Sequence, residues 1–120
     1  MCKRGEIYYV DFGMNIDSNR QSGIRPVVVV SNNKANTYSP VITVVPLTTK
    51  KKKPFFPTHV LLPYGCGQGL TRNCMVLAEQ VVTIDKKDLM EKHGEITDGE
   101  VMENITRALQ VQIGVYQEYN

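Results

Sequence analysis

The sequence predicts a small, mainly β barrel covered by one C-terminal helix. Short apolar stretches rich in Val, Ile, Tyr and Thr recur between Glu6 and Ile84, separated by polar or Gly/Pro-rich connections. That spacing is the pattern of a small all-β barrel. One stretch, Gly23 to Ser31, holds four consecutive valines without polar alternation. β-branched side chains favour strands, and an unbroken apolar run implies burial on both faces, so this is the central strand. After Thr97 the period changes: Met102, Ile105, Leu109, Ile113 and Tyr116 recur at helical spacing.

The chain has 120 residues, which is one domain, 1–120, with room for one core. Its formal charge of +2 is too small to identify a partner by itself; the placement of the cations matters more. Apolar runs fall far short of the ~20 residues of a membrane helix, and no signal-peptide pattern opens the chain. These features predict a cytoplasmic protein. Cys2, Cys66 and Cys74 are odd in number and widely spaced, so they read as reduced thiols rather than a disulfide framework. With no Cys-x-x-Cys pair, and with His59 and His93 far apart, no metal site is expected.

In chain order, Glu6 to Phe12 is a first strand, and Gly13 to Gly23 a long polar loop. The valine strand follows. Pro26 cannot donate to a ladder and belongs at its start, directly after Arg25. Ser31-Asn32-Asn33 suits a turn or a short helical turn through Pro40, and Val41 to Leu47 is the next strand, closed by Thr48-Thr49. A lysine run from Lys50 to Lys53 leads into Phe55-Phe56-Pro57, and Thr58 to Leu62 is again a strand. Pro63 to Gly69 is a glycine-rich turn, and Cys74–Ala78 and Val81–Ile84 are short strands around Glu79-Gln80. Asp85 to Leu89 reads as the start of a short helix with Asp85 as N-cap and Gly94 as its stop. Thr97-Asp98-Gly99-Glu100 reads as a capping box, with the Thr97 hydroxyl as cap, opening a helix from Asp98 to Tyr116.

Among reactive groups, the chain lacks a phosphate-binding loop, a dinucleotide fingerprint and a nucleophile elbow. What remains is polar groups at strand ends. If the valine strand and its successor are antiparallel neighbours, Arg25 and Thr48 share a groove. A guanidinium and a hydroxyl there suit a phosphodiester and the extra charge of its transition state; a surface arginine paired to a carboxylate is the alternative. Lys50 and Phe56 belong to the one segment where cations and aromatics interleave, which suits phosphates and stacked bases, or equally a solvated hairpin loop. His59 can meet a base edge or simply sit in its strand, and Gln80 offers both a donor and an acceptor.

Five motifs then occur in order: Lys3-Arg4-Gly5-Glu6-Ile7-Tyr8, Gly23-Ile24-Arg25-Pro26-Val27-Val28-Val29-Val30, Tyr38-Ser39-Pro40, Pro57-Thr58-His59-Val60 and Leu77-Ala78-Glu79-Gln80. Together they resemble the MazF/PemK toxins of bacterial toxin–antitoxin pairs, over nearly the whole chain. The resemblance implies an SH3-like small β-barrel with a C-terminal α-helix, acting as a homodimer. It implies a sequence-specific endoribonuclease that needs no metal or other cofactor and cuts single-stranded RNA, chiefly mRNA, to 2′,3′-cyclic phosphate and 5′-OH ends. It also implies a cognate antitoxin whose acidic C-terminal segment occupies the RNA groove. By motif, Arg25 and Thr48 match catalytic positions, and Gln21, Asn32, Pro57, His59 and Gln80 match positions lining the groove. Phe55-Phe56 replaces the smaller residues usual there. Two rival readings are a same-fold protein poison of a topoisomerase and an RNA-binding barrel without catalysis.

Overall fold

A computed structural model describes residues 2–14, 19–49 and 56–115. The strands are β1 (Glu6–Asp11), β2 (Ile24–Val29), β3 (Val41–Thr48), β4 (His59–Leu62), β5 (Gly67–Gln68), β6 (Cys74–Leu77), β7 (Val82–Asp85) and β8 (Lys92–Ile96). Two helices, α1 (Asn33–Tyr38) and α2 (Gly99–Gln112), complete the elements. The strands form one curled antiparallel half-barrel in the order β4-β6-β3-β2-β1-β8-β5, with β7 also on β3. Among the described residues no helix is long and apolar enough to cross a membrane.

The valine strand is central, between β1 and β3. Alternating side chains feed two cores. Val28 joins Ile7, Val45, Leu47 and the α2 residues Val101, Ile105 and Ala108. Val27 and Val29 join Val10, Ile42 and Val44 on the other face. The Arg4 guanidinium donates to the Val30 carbonyl and to the Thr106 hydroxyl, pinning α2 to the sheet.

Beside β3 the sheet edge is broken. Thr48 and Leu47 pair with Met75 and Val76 of β6, whereas Val44 to Val41 pair with Val82 to Asp85 of β7. Between these ladders, Val45 and Pro46 stand opposite a longer stretch, Leu77 to Val81. The surplus residues leave the sheet as the short helical turn Ala78–Gln80. Pro46 has no N–H, and it stands on β3 where the ladder lapses.

Four expectations need correction. Asp85 starts only the short helical turn Lys86–Asp88, without capping it through its side chain, and Gly94 lies inside β8 instead of ending a helix. The glycine is required by packing: a Cβ on it would stand 2.2 Å from the Gln68 carbonyl oxygen of β5. The cap of α2 is Asp98, whose carboxylate accepts from the Glu100 and Val101 amides; Thr97 instead donates to the Cys66 carbonyl. The helix ends at Gln112 rather than Tyr116. Gly114, at φ +86°, closes it, with its N–H on Val111 O and the Val115 N–H on Gln110 O. The buried face is accordingly Val101, Ile105, Ala108 and Val111, and Ile113 is 72% exposed. Tyr116 lies outside the described residues.

On the β1–β8 side, Glu6 accepts from Lys92 Nζ at 2.8 Å, from the Lys3 amide at 2.7 Å and from the Tyr8 hydroxyl at 2.9 Å. Burial pushes the Glu6 carboxyl up, but these donors outweigh it and hold the net value below the usual range. Burial, then the Glu6 carboxylate, pushes Tyr8 up to about 12.

Candidate nucleic-acid interface

The β2–β3 ladder pairs Val29 with Val44, Val28 with Val45 and Val27 with Pro46. Carried two residues further, that register sets Arg25 across from Thr48. Both then project from the face that carries Val27, Val29 and Val44, at its open end. On the other side, Arg25 pairs with Val10 of β1. Arg25 is exposed, and its Nε donates to the Ser22 carbonyl at 3.0 Å, which fixes the root of the guanidinium against the β1–β2 loop.

On this face a cavity of about 290 Å³ opens at the break in the sheet. Phe12, Arg20, Gln21, Pro46, Glu79 and Gln80 line it. Gln80 Nε2 donates to the Asn19 carbonyl at 3.0 Å, so the helical turn and the loop before β2 are tied across the rim. The walls combine an aromatic ring and a proline with amide, carboxylate and guanidinium groups. Such a surface suits a nucleobase, with an apolar face to stack and an edge to hydrogen-bond.

The β4 entry adjoins this cavity. His59 pairs with Leu77, immediately before the turn. His59 is 4% exposed and its Nε2 lies 3.0 Å from Glu79 Oε2, while the Thr58 hydroxyl donates to Glu79 Oε1 at 3.0 Å. Thus His59 is held inside the fold by Glu79 and does not present its ring edge to solvent. Phe56 is 49% exposed, and its ring meets that of His59 edge to face at 5.3 Å. Pro57 follows it, half-buried.

Gln21 and Gln80 thus share one cavity, Arg25 and Thr48 lie past the end of the β2–β3 ladder on the face that carries Pro46, and Phe56, Pro57 and His59 stand beside the turn that carries Gln80. Asn32 is not brought to them. It follows the far end of β2, roughly 20 Å of extended chain from Arg25, and its side chain caps α1 by accepting from the Ala35 amide at 2.8 Å. Lys50 lies outside the described residues. The sequence reading did not place Glu79, Arg20 or Phe12 in the site. Glu79 was legible only as a carboxylate beside Gln80, because its partners Thr58 and His59 lie some twenty residues earlier.

Comparison with known proteins bears on this arrangement. Residues 3–113 match the family of PemK-like, MazF-like toxins of type II toxin–antitoxin systems. The protein named Endoribonuclease EndoA, from Bacillus subtilis (strain 168), is 35% identical over 115 residues, covering 96% of this chain and 97% of its own. A mycobacterial endoribonuclease solved in complex with its cognate antitoxin superposes with a TM-score of 0.77 at 30% identity, over 97% of this chain and 98% of that one. MazF from Deinococcus radiodurans, at 23% identity, shares the fold, with a TM-score of 0.76 over 94% of this chain and 96% of its own. By a match that runs from Lys3 to Ile113, this chain belongs to the PemK-like, MazF-like toxins of type II toxin–antitoxin systems.

Proposed function

We propose that this chain is an endoribonuclease toxin that cleaves single-stranded RNA, chiefly mRNA, at the Arg25–Thr48 end of the sheet. The observation that supports this reading is the β2–β3 register, which ends at Val27–Pro46 with Arg25 and Thr48 two residues beyond it, on the sheet face whose Pro46 lines a base-sized cavity. RNA brings its own nucleophile, the 2′-hydroxyl next to each phosphate. In the reaction this oxygen passes its proton to solvent water and bonds to the adjacent phosphorus, and the bond from phosphorus to the 5′-oxygen breaks. The 5′-oxygen takes up a proton. The products are a 2′,3′-cyclic phosphate and a 5′-OH.

Negative charge grows on the phosphoryl oxygens in the transition state. The Arg25 guanidinium, steadied by the Ser22 carbonyl, offers its terminal N–H groups to that charge, and the Thr48 hydroxyl donates to a phosphoryl oxygen. Gln21 and Gln80, on the cavity wall, present amides to a base edge. Because nucleophile and electrophile both come from the substrate, the protein's part is positioning and charge stabilisation, with protons exchanged through solvent.

The protein would work in the cytoplasm as a homodimer. Its activity would be held in check by a cognate antitoxin whose acidic C-terminal segment competes for the same cationic groove, as charge complementarity with Arg25 and Arg20 favours.

The test is incubation of a long single-stranded RNA with the folded protein in EDTA, wild type beside Arg25→Ala. Discrete fragments with 5′-OH ends from the wild type alone are expected. Intact RNA from folded wild type, over many sequence contexts, overturns the proposal.

A further inference from the structure

We infer that Glu79 is a positioning residue that acts through His59 to hold the exposed ring of Phe56 as a stacking platform for one base of the RNA. This deepens the proposed function and rests on it.

Three contacts connect Glu79 to Phe56. The Phe56 backbone N–H points at His59 Nδ1, at 3.4 Å. An acceptor nitrogen carries no proton, so the ring proton sits on Nε2, which donates to Glu79 Oε2 at 3.0 Å. The other oxygen of Glu79 accepts from the Thr58 hydroxyl. Both carboxylate oxygens are thereby spent on the two residues that open β4, and the imidazole is fixed in tautomer and orientation.

A buried, oriented imidazole is a rigid abutment. Phe56 leans on it edge to face, with the planes at 73°. Aromatic pairs favour this geometry. Half of the Phe56 surface stays open to solvent and is available for a cover. Base stacking on an aromatic ring supplies such a cover. Glu79 also lines the cavity beside Gln80, so the carboxylate that sets the platform belongs to the same turn as the base-reading amide. The distance between a stacked base and an edge-read base is then set by the fold.

The measurement is steady-state cleavage of an RNA with a single cut site by wild type, Phe56→Ala, Phe56→Tyr, Glu79→Ala and the double variant Phe56→Ala/Glu79→Ala. Arg107→Ala, on the exposed side of α2, is the control. Loss of the ring should raise KM roughly tenfold, the worth of one stacked base, with kcat nearly constant. Phe56→Tyr should restore KM. Glu79→Ala should raise KM similarly and add nothing in the double variant, because both act on one contact. If Glu79→Ala does not fold, His59→Phe replaces it: it keeps buried volume, removes the Phe56 N–H acceptor and should raise KM alone.

A KM indifferent to Phe56→Ala, or effects of Phe56 and Glu79 that multiply in the double variant, overturns the inference while cleavage itself stands. Wild type that cuts no RNA removes the function beneath it.

Discussion

Arg25 and Thr48 each lie two residues beyond Val27 and Pro46, the last pair of the β2–β3 ladder, one near the start of its strand and one at the end of the next. Their common position at that open end follows from the Val27–Pro46 register and from nothing local to either residue. Removing one transition-state donor of this kind typically costs ~10²–10³ in kcat. Arg25→Ala should fall in or beyond that range. Arg25→Lys should recover little, since an ammonium lacks the planar fork. Thr48→Val keeps the shape and loses the hydroxyl, whereas Thr48→Ser keeps the donor. Single-turnover cleavage should rank Ser well above Val, and equal rates for the two would remove the hydroxyl from the mechanism.

Gly94 and Gln68 make a second prediction, about stability. A Cβ at Gly94 would meet the Gln68 carbonyl oxygen at 2.2 Å. The neighbour is backbone, so β5 or β8 must shift. Gly94→Ala should lower unfolding free energy by roughly 2 kcal/mol or more. Gly99→Ala, where a new Cβ meets nothing within 4 Å, is the comparison. Denaturant midpoints of the two variants check this.

At the start of α2 the two candidate caps can be separated. Asp98 accepts two amide hydrogens and Thr97 none from the helix. Asp98→Ala should cost about 1 kcal/mol, and Thr97→Val clearly less. The reverse order in thermal melts would restore Thr97 as the cap.

The Glu6–Lys92–Tyr8 cluster contributes to both limbs of the pH–stability curve. Tyr8 is raised to about 12 in the folded chain, so the unfolded chain ionises first. Its contribution is complete below the ordinary tyrosine value and is lost as pH rises towards 12. Glu6 is lowered, so its contribution is present above the ordinary carboxylate range and is lost as pH falls through its lowered value. Tyr8→Phe should flatten the alkaline limb and Glu6→Gln the acid limb, as read by urea unfolding at stepped pH.

The strands were legible because β-branched runs and turn residues are local signals. The valine strand is central and buried on both faces, as its unbroken apolar run implied. Where reading failed, the deciding partner was distant. Gly94 resembled a helix stop until Gln68 lay against it. Ile113 fitted a helical stripe, but Gly114 ends the helix one residue later and turns it outward. Asn32 matched a groove position only by motif; its side chain caps α1. His59 was readable as a polar group in a strand; that Glu79 would hold it inside was not, because a carboxylate from a turn between two other strands had to arrive there.

The break opposite Pro46 has a consequence for how this scaffold can change. β6 and β7 each keep their own ladder on β3, so the register on either side is set without the residues of the Ala78–Gln80 turn. Ala78 is buried and ties the turn down, but Glu79 and Gln80 contribute no rung to the sheet. Under the proposed function, substitutions at Gln80 would alter base preference without removing a rung of the sheet, at the cost of its bond to the Asn19 carbonyl. Selection can tune this toxin's choice of sequence and its folding almost as separate traits.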